Sequence, residues 1–344
     1  MKINQQYIAD LLKVSRVTVT KALQDHSDIA PETRQKVKDM AEQLGYIPNG
    51  IGRSLSTKRT HTIGIVVPKI NHSFFASVIE DMYSTAAKHG YKILMMVSFE
   101  NEEIEYNSVK TLLSMNVDGI LIDPSSDTSS DKSFSLIEKH HKPLMFFDRN
   151  LRTFDSSGVY FDDYNLSYKL TMEMIKRGYR KFAYITGPQQ INISYERLSG
   201  FKSALSDAGI EQPKSWIIKS ELERDNGCDA FKLFLQTSEE RPEAVLCVND
   251  SIALGVYDAC ASEGLSIPED LAVAGFGNVL ISSLVQPPLT TVNLFEKEAS
   301  VKAVENLIKM IESDNSEMDD EIFDGEIIMR ESVKDYQNKR SNSH

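Results

Sequence analysis

Cysteine is scarce in this chain: Cys228, Cys247 and Cys260 are the only three in 344 residues, and their spacing fits neither a disulfide framework nor a metal knuckle. Reduced core thiols in a cytoplasmic protein are what such a set implies. Long apolar runs are missing too. No stretch approaches the roughly 18 apolar residues of a membrane span. The opening MKINQQYIAD has neither an apolar core nor a small-residue cleavage site, so a cytoplasmic location and no membrane partner are expected. Enzyme signatures are equally thin. GxxxxGK[ST], GxSxG and HExxH do not occur, and GFGNVL lacks the third glycine of a dinucleotide loop. The seven histidines, including His140 and His141, have no helical ligand spacing. No catalytic residue, cofactor or metal ligand is therefore assigned.

What the chain does have is an apolar fraction of 41%, a length that suggests two or three domains, and an uneven charge. The net −12 divides sharply at residue 60: residues 1–60 hold 10 Lys and Arg against 6 Asp and Glu, and the remainder holds 28 against 44. A small basic head on an acidic body is the distribution expected when only the head approaches phosphates.

The head reads as three helices. Asn4 caps the first, which runs to residue 13 with Ile8, Ala9, Leu11 and Leu12 at helical spacing. Ser15 caps a second over 16–24, and Pro31 opens a third that runs to residue 44. Two helices joined by a short turn, with small Ala9 at their crossing and Val19 behind the second, make a helix-turn-helix. Its second helix enters the major groove, so Arg16, Val17 and Lys21 are the candidate base readers, with Arg16 matched to guanine and Val17 to a thymine methyl. Ser15, Thr18 and Thr20 are placed for phosphates, although plain solvent exposure explains the two threonines as well. Tyr46, Asn49, Arg53 and Lys58 are assigned the same backbone-positioning role.

The body alternates strands (63–67, 92–97, 119–123, 144–148, then 182–186, 216–219, 244–248, 272–276) with helices (among them 75–89, 102–115, 194–208, 228–237, 251–263). Alternation of this kind gives parallel sheets with helices on both faces, and two such lobes place a ligand cleft at the carboxyl ends of their strands. The expected class is thus an all-α helix-turn-helix head with an α/β body of two doubly wound sheets. The acidic run at 313–321 lacks calcium-loop spacing and reads as a solvated loop. The tail beyond Ser332 is polar and without heptads.

The run IADLLKVSRVTVTKAL, then PETR, LGYIPN, GIGRSL, HTIGIVVP, NDSIALG and finally IIMRES at 327–332 resembles the lactose/galactose repressor family of bacterial transcription regulators in order and spacing, over essentially the whole chain. The resemblance implies an effector-responsive regulator, most simply a repressor, that binds a near-palindromic double-stranded operator as a homodimer. It also implies a body with the two-lobed fold of periplasmic sugar-binding proteins. The domain division it suggests is a head at 1–48, a linker at 49–61 and a body at 62–338. Within the body, one lobe covers 62–159 with 293–321 and the other 160–292 with 322–338; a tail occupies 339–344. Lobe crossings are expected near Tyr160, Val292 and Phe323. In the family, the linker forms a short helix on DNA and inserts a leucine into the minor groove, a position matched by Leu55. The alternative is that Leu55 packs on its own body. Three features of the head and linker depart from the pattern. Lys13 replaces a turn glycine, at about 1 kcal/mol where the backbone is left-handed. Ala30 replaces a hydroxyl cap, losing about another 1 kcal/mol. Gly52 replaces an alanine, which disfavours a linker helix by about 1 kcal/mol.

For the effector, strand-end positions supply Ser73, Phe74, Ser125, Asp148, Arg197, Asn249, Asp250 and Asn278. By resemblance Arg197 is foremost, as a fork-shaped donor to ligand oxygens; Asp250 serves equally well as a helix cap, and Phe75 is read as core. Gly277 stands where many relatives carry an aspartate, and Leu222 where some carry a stacking aromatic. A sugar or sugar derivative is the expected ligand class. The rival readings are a solute receptor whose head does not regulate transcription, and a DNA binder with a vestigial cleft.

Overall fold

The computed structural model describes residues 3–47, 59–71, 73–313 and 318–336. The chain separates into two compact units, Met1–Thr60 and His61–His344.

In the first unit, α1 (Gln5–Leu12), α2 (Arg16–Leu23) and α3 (Pro31–Gln43) close over a core of Ile8, Ala9, Val19, Ala22, Val37 and Ala41. Asn4 accepts from Tyr7 N and Ser15 from Thr18 N, so each of the first two helices starts on a side-chain cap. Ala30 has no such bond, and Pro31 alone marks the start of α3. Lys13 is left-handed (φ 52°, ψ 40°), the conformation that glycine adopts without cost. The arginine of PETR is structural. Arg34 Nη2 donates to the carbonyls of His26 and Ile29, fixing the loop between α2 and α3.

The second unit is built on two parallel sheets. The first contains β1 (Thr62–Val67), β2 (Lys92–Val97), β3 (Gly119–Ile122), β4 (Leu144–Phe147) and β5 (Gly158–Phe161), with α4 (Ser73–Lys88), α5 (Glu102–Ser114) and α6 (Lys132–Lys139) between them. The chain then crosses to the second lobe. There it forms α7 (Asp163–Lys176), β6 (Phe182–Thr186), α8 (Asn192–Asp207), β7 (Ile217–Lys219), α9 (Arg224–Thr237), β8 (Ala244–Cys247), α10 (Asp250–Ser262) and β9 (Ala272–Ala274). It returns through β10 (Thr291–Asn293) and α11 (Glu296–Ser313) to β11 (Glu321–Phe323), and ends on β12 (Glu326–Ile328). Strand order is β11-β5-β4-β3-β1-β2 in the first sheet and β7-β6-β8-β9 in the second; antiparallel β10 and β12 form a small third sheet.

Strands buried on both faces need apolar residues at every position, and TIGIVV, GILI and LMFF supply them. Alternation sends Ile63, Ile65 and Val67 to one core with α4 and α11, and Val66, Ile120, Ile122 and Phe146 to the other with α5 and α6. The glycines of RLSGF and SIALG serve helix packing. A Cβ at Gly200 would sit 2.1 Å from the carbonyl oxygen of Tyr164, and one at Gly255 2.1 Å from that of Arg224. α8 therefore lies against α7, and α10 against α9, at a distance only glycine permits.

One sequence reading is corrected. The acidic stretch at 313–321 is not simply solvated: Asp320 Oδ1 accepts from Gly158 N at 2.9 Å, Met318 N donates to Ser157 Oγ, and Glu321 opens β11 beside β5. Acidic composition conceals these ties, because a carboxylate that accepts from a strand-end amide looks the same in sequence as a hydrated one. The segment after Ser332 also docks, with Val333 buried and Tyr336 stacked on Tyr179 at 4.7 Å. The tail at 339–344 lies outside the described residues.

Candidate functional site

On the head, α2 presents Arg16 and Val17 to solvent, Val17 with 63% of its surface exposed. Lys21 is half-buried and forms an ion pair with Asp28. The hydroxyls of Ser15 and Thr18 lie 2.8 Å apart, and Thr20 Oγ1 donates to Gln5 Oε1 at 2.9 Å, so these groups brace α2 against itself and against α1. Tyr46 packs on the head core. Asn49, Arg53, Leu55 and Lys58 lie outside the described residues.

In the body, a cavity of about 590 Å³, its mouth included, opens at the carboxyl ends of both sheets. Phe74, Asp148, Arg197, Asn249 and Asp250 line it; Ser125 and Asn278 do not. Ser73 opens α4. Ser125 is buried within the loop after β3, its Oγ 2.6 Å from Ser98 Oγ and its N–H donating to Glu105. Asn278 accepts from Arg330 Nη2 at 2.7 Å and thereby ties the β9 end to the segment after β12. The lining also takes in Phe75, which the sequence assigns to the core, along with Lys69, Glu100, Arg149, Leu222, Glu223 and Phe276.

The polar groups are set from both sides. Arg197, only 3% exposed, donates Nε to Asp163 at 2.7 Å and Nη1 to the carbonyl of Val248 at 2.7 Å, and its guanidinium stacks 3.9 Å from the ring centre of Phe276. Burial lifts the Asp163 carboxyl to about 7; the neighbouring Arg197 opposes this but does not cancel it. Across the cleft, Arg149 is gripped by both Glu100 oxygens, at 3.1 and 3.0 Å, and its Nε lies 3.6 Å from Asp123. Burial works against the Glu100 carboxylate, yet Arg149 and the amide of Ser126 leave its pKa below the usual value. Asp123 goes the other way, pushed well up by complete burial.

Asn249 is used twice, capping α10 through Ile252 N and donating to the carbonyl of Leu222. Asp250 accepts from Ser282, Thr291 and the amide of Val279, so its carboxylate is spent on structure although it borders the cavity. Asp148 differs: it is 5% exposed, its backbone is left-handed (φ 61°), and its Oδ1 has no hydrogen-bond partner. Burial pushes its carboxyl up while Arg197 and Arg149 pull it down. Gly277, also left-handed (φ 123°), leaves its part of the wall without a side chain.

A basic-headed helix-turn-helix followed by a two-lobed sheet body has known counterparts. Residues 60–327 match the family described as "Periplasmic binding proteins and sugar binding domain of LacI family", and residues 6–49 match "Bacterial regulatory proteins, lacI family". The chain belongs to the LacI family. Among LacI-family relatives, the ribose operon repressor of Haemophilus influenzae is 30% identical over 95% of this chain and 97% of its own length. The transcriptional repressor PurR of Vibrio atlanticus is likewise 30% identical, over the same shares. The lac repressor dimer bound to operator and the anti-inducer ONPF aligns with TM-score 0.84 at 21% identity over 97% of this chain and all of that one; this likeness speaks for the fold. As a LacI-family member the chain is a DNA-binding transcriptional regulator with an effector-binding body, in a family of regulators rather than enzymes. Among the described residues, no helix is long and apolar enough to cross a membrane.

Proposed function

We propose that this regulator acts as a repressor in the cytoplasm. As a homodimer it reads a near-palindromic operator, and its DNA affinity is altered by a small sugar-like molecule held between the lobes of the body. The observation that carries the effector half is the cavity itself. It joins a guanidinium fixed in place by Asp163 and Phe276, an acidic side chain with an unused oxygen at Asp148, and apolar walls from Phe74, Leu222 and Phe276. That set suits a compact ligand with several hydroxyls. The DNA half assigns base contacts to Arg16, Val17, Lys21 and Leu55, and phosphate contacts to Ser15, Thr18, Thr20, Tyr46, Asn49, Arg53 and Lys58. Lys21 would exchange Asp28 for the DNA, a small loss because exposed ion pairs contribute about 1 kcal/mol or less. No catalytic step and no cofactor is assigned to the chain.

Selecting bound sites from random DNA and then measuring their affinity at several salt concentrations tests this reading. The expected result is an inverted repeat whose affinity falls steeply with salt, through release of counterions from the neutralised phosphates. Recovery of no consensus, or a salt slope near zero, would remove the head from the role of operator reader.

A further inference from the structure

Arg197 is held from behind. Asp163, the first residue of α7, stands outside the cavity lining; it accepts from Arg197 Nε at 2.7 Å and is only 2% exposed. The arrangement is stiff. Ser167 Oγ donates to the carbonyl of Arg197 at 2.6 Å, Nη1 is fixed on the carbonyl of Val248, and α8 lies against α7 at Gly200. Asp163 and Val248 take two of the five N–H groups that a guanidinium carries, so a ligand can meet Arg197 without displacing Asp163.

Charge at this wall does not balance with every acid ionised. Two guanidiniums, Arg149 and Arg197, face four carboxyls: Glu100, Asp123, Asp148 and Asp163. Lys69 and Glu223 match each other, and Asp250 has donors of its own. Surplus buried charge is relieved by protonation, so two of the four carboxyls keep a proton. Asp123 is one, pushed well up by complete burial, with no hydrogen-bond partner for either oxygen. Asp163 is the other. Burial raises Asp148 and Asp163 alike, but Asp148 has both arginines to draw it back, while Asp163 has Arg197 alone and meets Asp148 and Glu196 as like charges. Tyr184 of β6 also bears on it, and stays neutral because burial raises its phenol. The first turn of a helix favours an anion, but by much less than burial disfavours one.

We propose that Asp163 is a positioning residue that makes effector binding proton-linked: protonated, it keeps Arg197 in place while leaving the guanidinium charge to the ligand, so an uncharged effector binds more tightly in acid than in alkali. This rests on the cavity being the effector site. The sign follows from what a ligand does to the wall. It displaces water, which makes ionising Asp163 harder, and its oxygens gain more from a guanidinium that no carboxylate neutralises. Binding therefore takes up a proton. With the carboxyl near 7 in the fold, affinity is full below about pH 7 and declines above it.

The test is isothermal titration of the full-length protein with the neutral aldopentoses, the neutral aldohexoses and their common disaccharides as probes. The tightest of them is followed from about pH 6 to about pH 9, in buffers of high and low ionisation enthalpy, so that proton uptake is read directly. Wild type should lose roughly three- to tenfold in affinity over this range and take up a fraction of a proton on binding. Asp163→Asn keeps an oxygen for Nε but cannot ionise. It should match wild type at about pH 6, hold that affinity to about pH 9 and take up no proton, since Arg197 then has Asp148 alone to balance. Asp163→Ala, which leaves Nε unheld, should bind more weakly at every pH; binding equal to wild type would remove the positioning role. A wild-type affinity that ignores pH, a slope that survives in Asp163→Asn, or an Asn variant weaker than wild type at about pH 6 overturns the proton linkage and leaves sugar sensing standing. Binding by none of the probes overturns sugar sensing and the linkage with it.

Discussion

Lys69 Nζ and Glu223 Oε1 lie 2.6 Å apart across the cleft, one on the loop that follows β1 and the other at the N-cap of α9. Other side chains also join the two lobes: Gln190 Nε2 donates to the carbonyl of Ser126, Asn192 Nδ2 donates to that of Asp148 at 3.0 Å while its Oδ1 accepts from Asn150 N, and the Arg152 guanidinium lies 3.4 Å from the ring centre of Tyr195. These contacts exist only while the lobes are together, so each biases the body toward the closed form.

Glu223→Gln should therefore weaken effector binding, by a modest amount. Lys69 and Glu223 keep 26% and 42% of their side-chain surface exposed, and solvent screens such a pair. A loss of roughly two- to fivefold in affinity is expected. Raising the salt concentration should cost wild type a similar factor while leaving the variant nearly unchanged. Equal salt dependence in the two proteins would show that the pair does not contribute to closure.

Asp163 makes the stability of the body depend on pH. Its carboxyl sits near 7 in the fold, against 3.8 ordinarily, so folding favours the protonated form. The stabilising contribution is complete below about pH 4 and is lost as pH rises toward 7, with a slope of up to about 1.4 kcal/mol per pH unit. Asp163→Asn removes this titration. In denaturant unfolding between pH 5 and 8, the stability of the variant relative to wild type should rise with pH and level off above about 7; a difference that stays constant would show that Asp163 does not titrate in this window.

Much of this architecture is readable in the sequence because it rests on local rules. Caps at Asn4, Ser15 and Asn249, the proline that opens α3 and the apolar strands β1, β3 and β4 follow from spacing and residue type alone. Cavity residues beyond strand ends follow from topology, which is how Phe74, Asp148 and Asn249 come forward, while Arg197, inside α8, comes forward through the family resemblance. What sequence does not carry is who spends which hydrogen bond. Asp148 and Asp250 look alike, each a carboxylate beyond a strand, yet three donors claim Asp250 while Asp148 keeps an oxygen free. Ser125 looks available until Glu105 and Ser98 are seen to hold it. The segment from Glu100 to Glu105 reads as an ordinary acidic helix start. In the fold, Glu100, Glu102 and Glu105 accept from Ser126, Ser129, Ser130, Ser125 and Thr128, and so shape the loop after β3. Such pairings join residues about 20 to 30 positions apart, and no periodicity announces them.

Lys13→Gly should stabilise the head. The residue is left-handed and exposed, and relieving that conformation is worth about 1 kcal/mol, partly offset by the greater freedom glycine has in the unfolded chain. Hydrogen exchange at the amides of α1 to α3 in the full-length protein is expected to slow by up to roughly fivefold. Faster exchange would mean that Lys13 makes a compensating contact stronger than the relief.

The central claim is that occupancy of the body cavity changes DNA affinity, and the most direct measurement is operator binding by fluorescence anisotropy with and without a saturating effector. In wild type the effector should shift the operator Kd by roughly five- to 150-fold, the usual range of coupling between sites. In Arg197→Lys, which cannot reproduce the fork to Asp163 and Val248, the shift at the same effector concentration should largely disappear while effector-free operator affinity stays the same. An operator Kd that does not move when calorimetry shows the wild-type cavity filled would contradict the account.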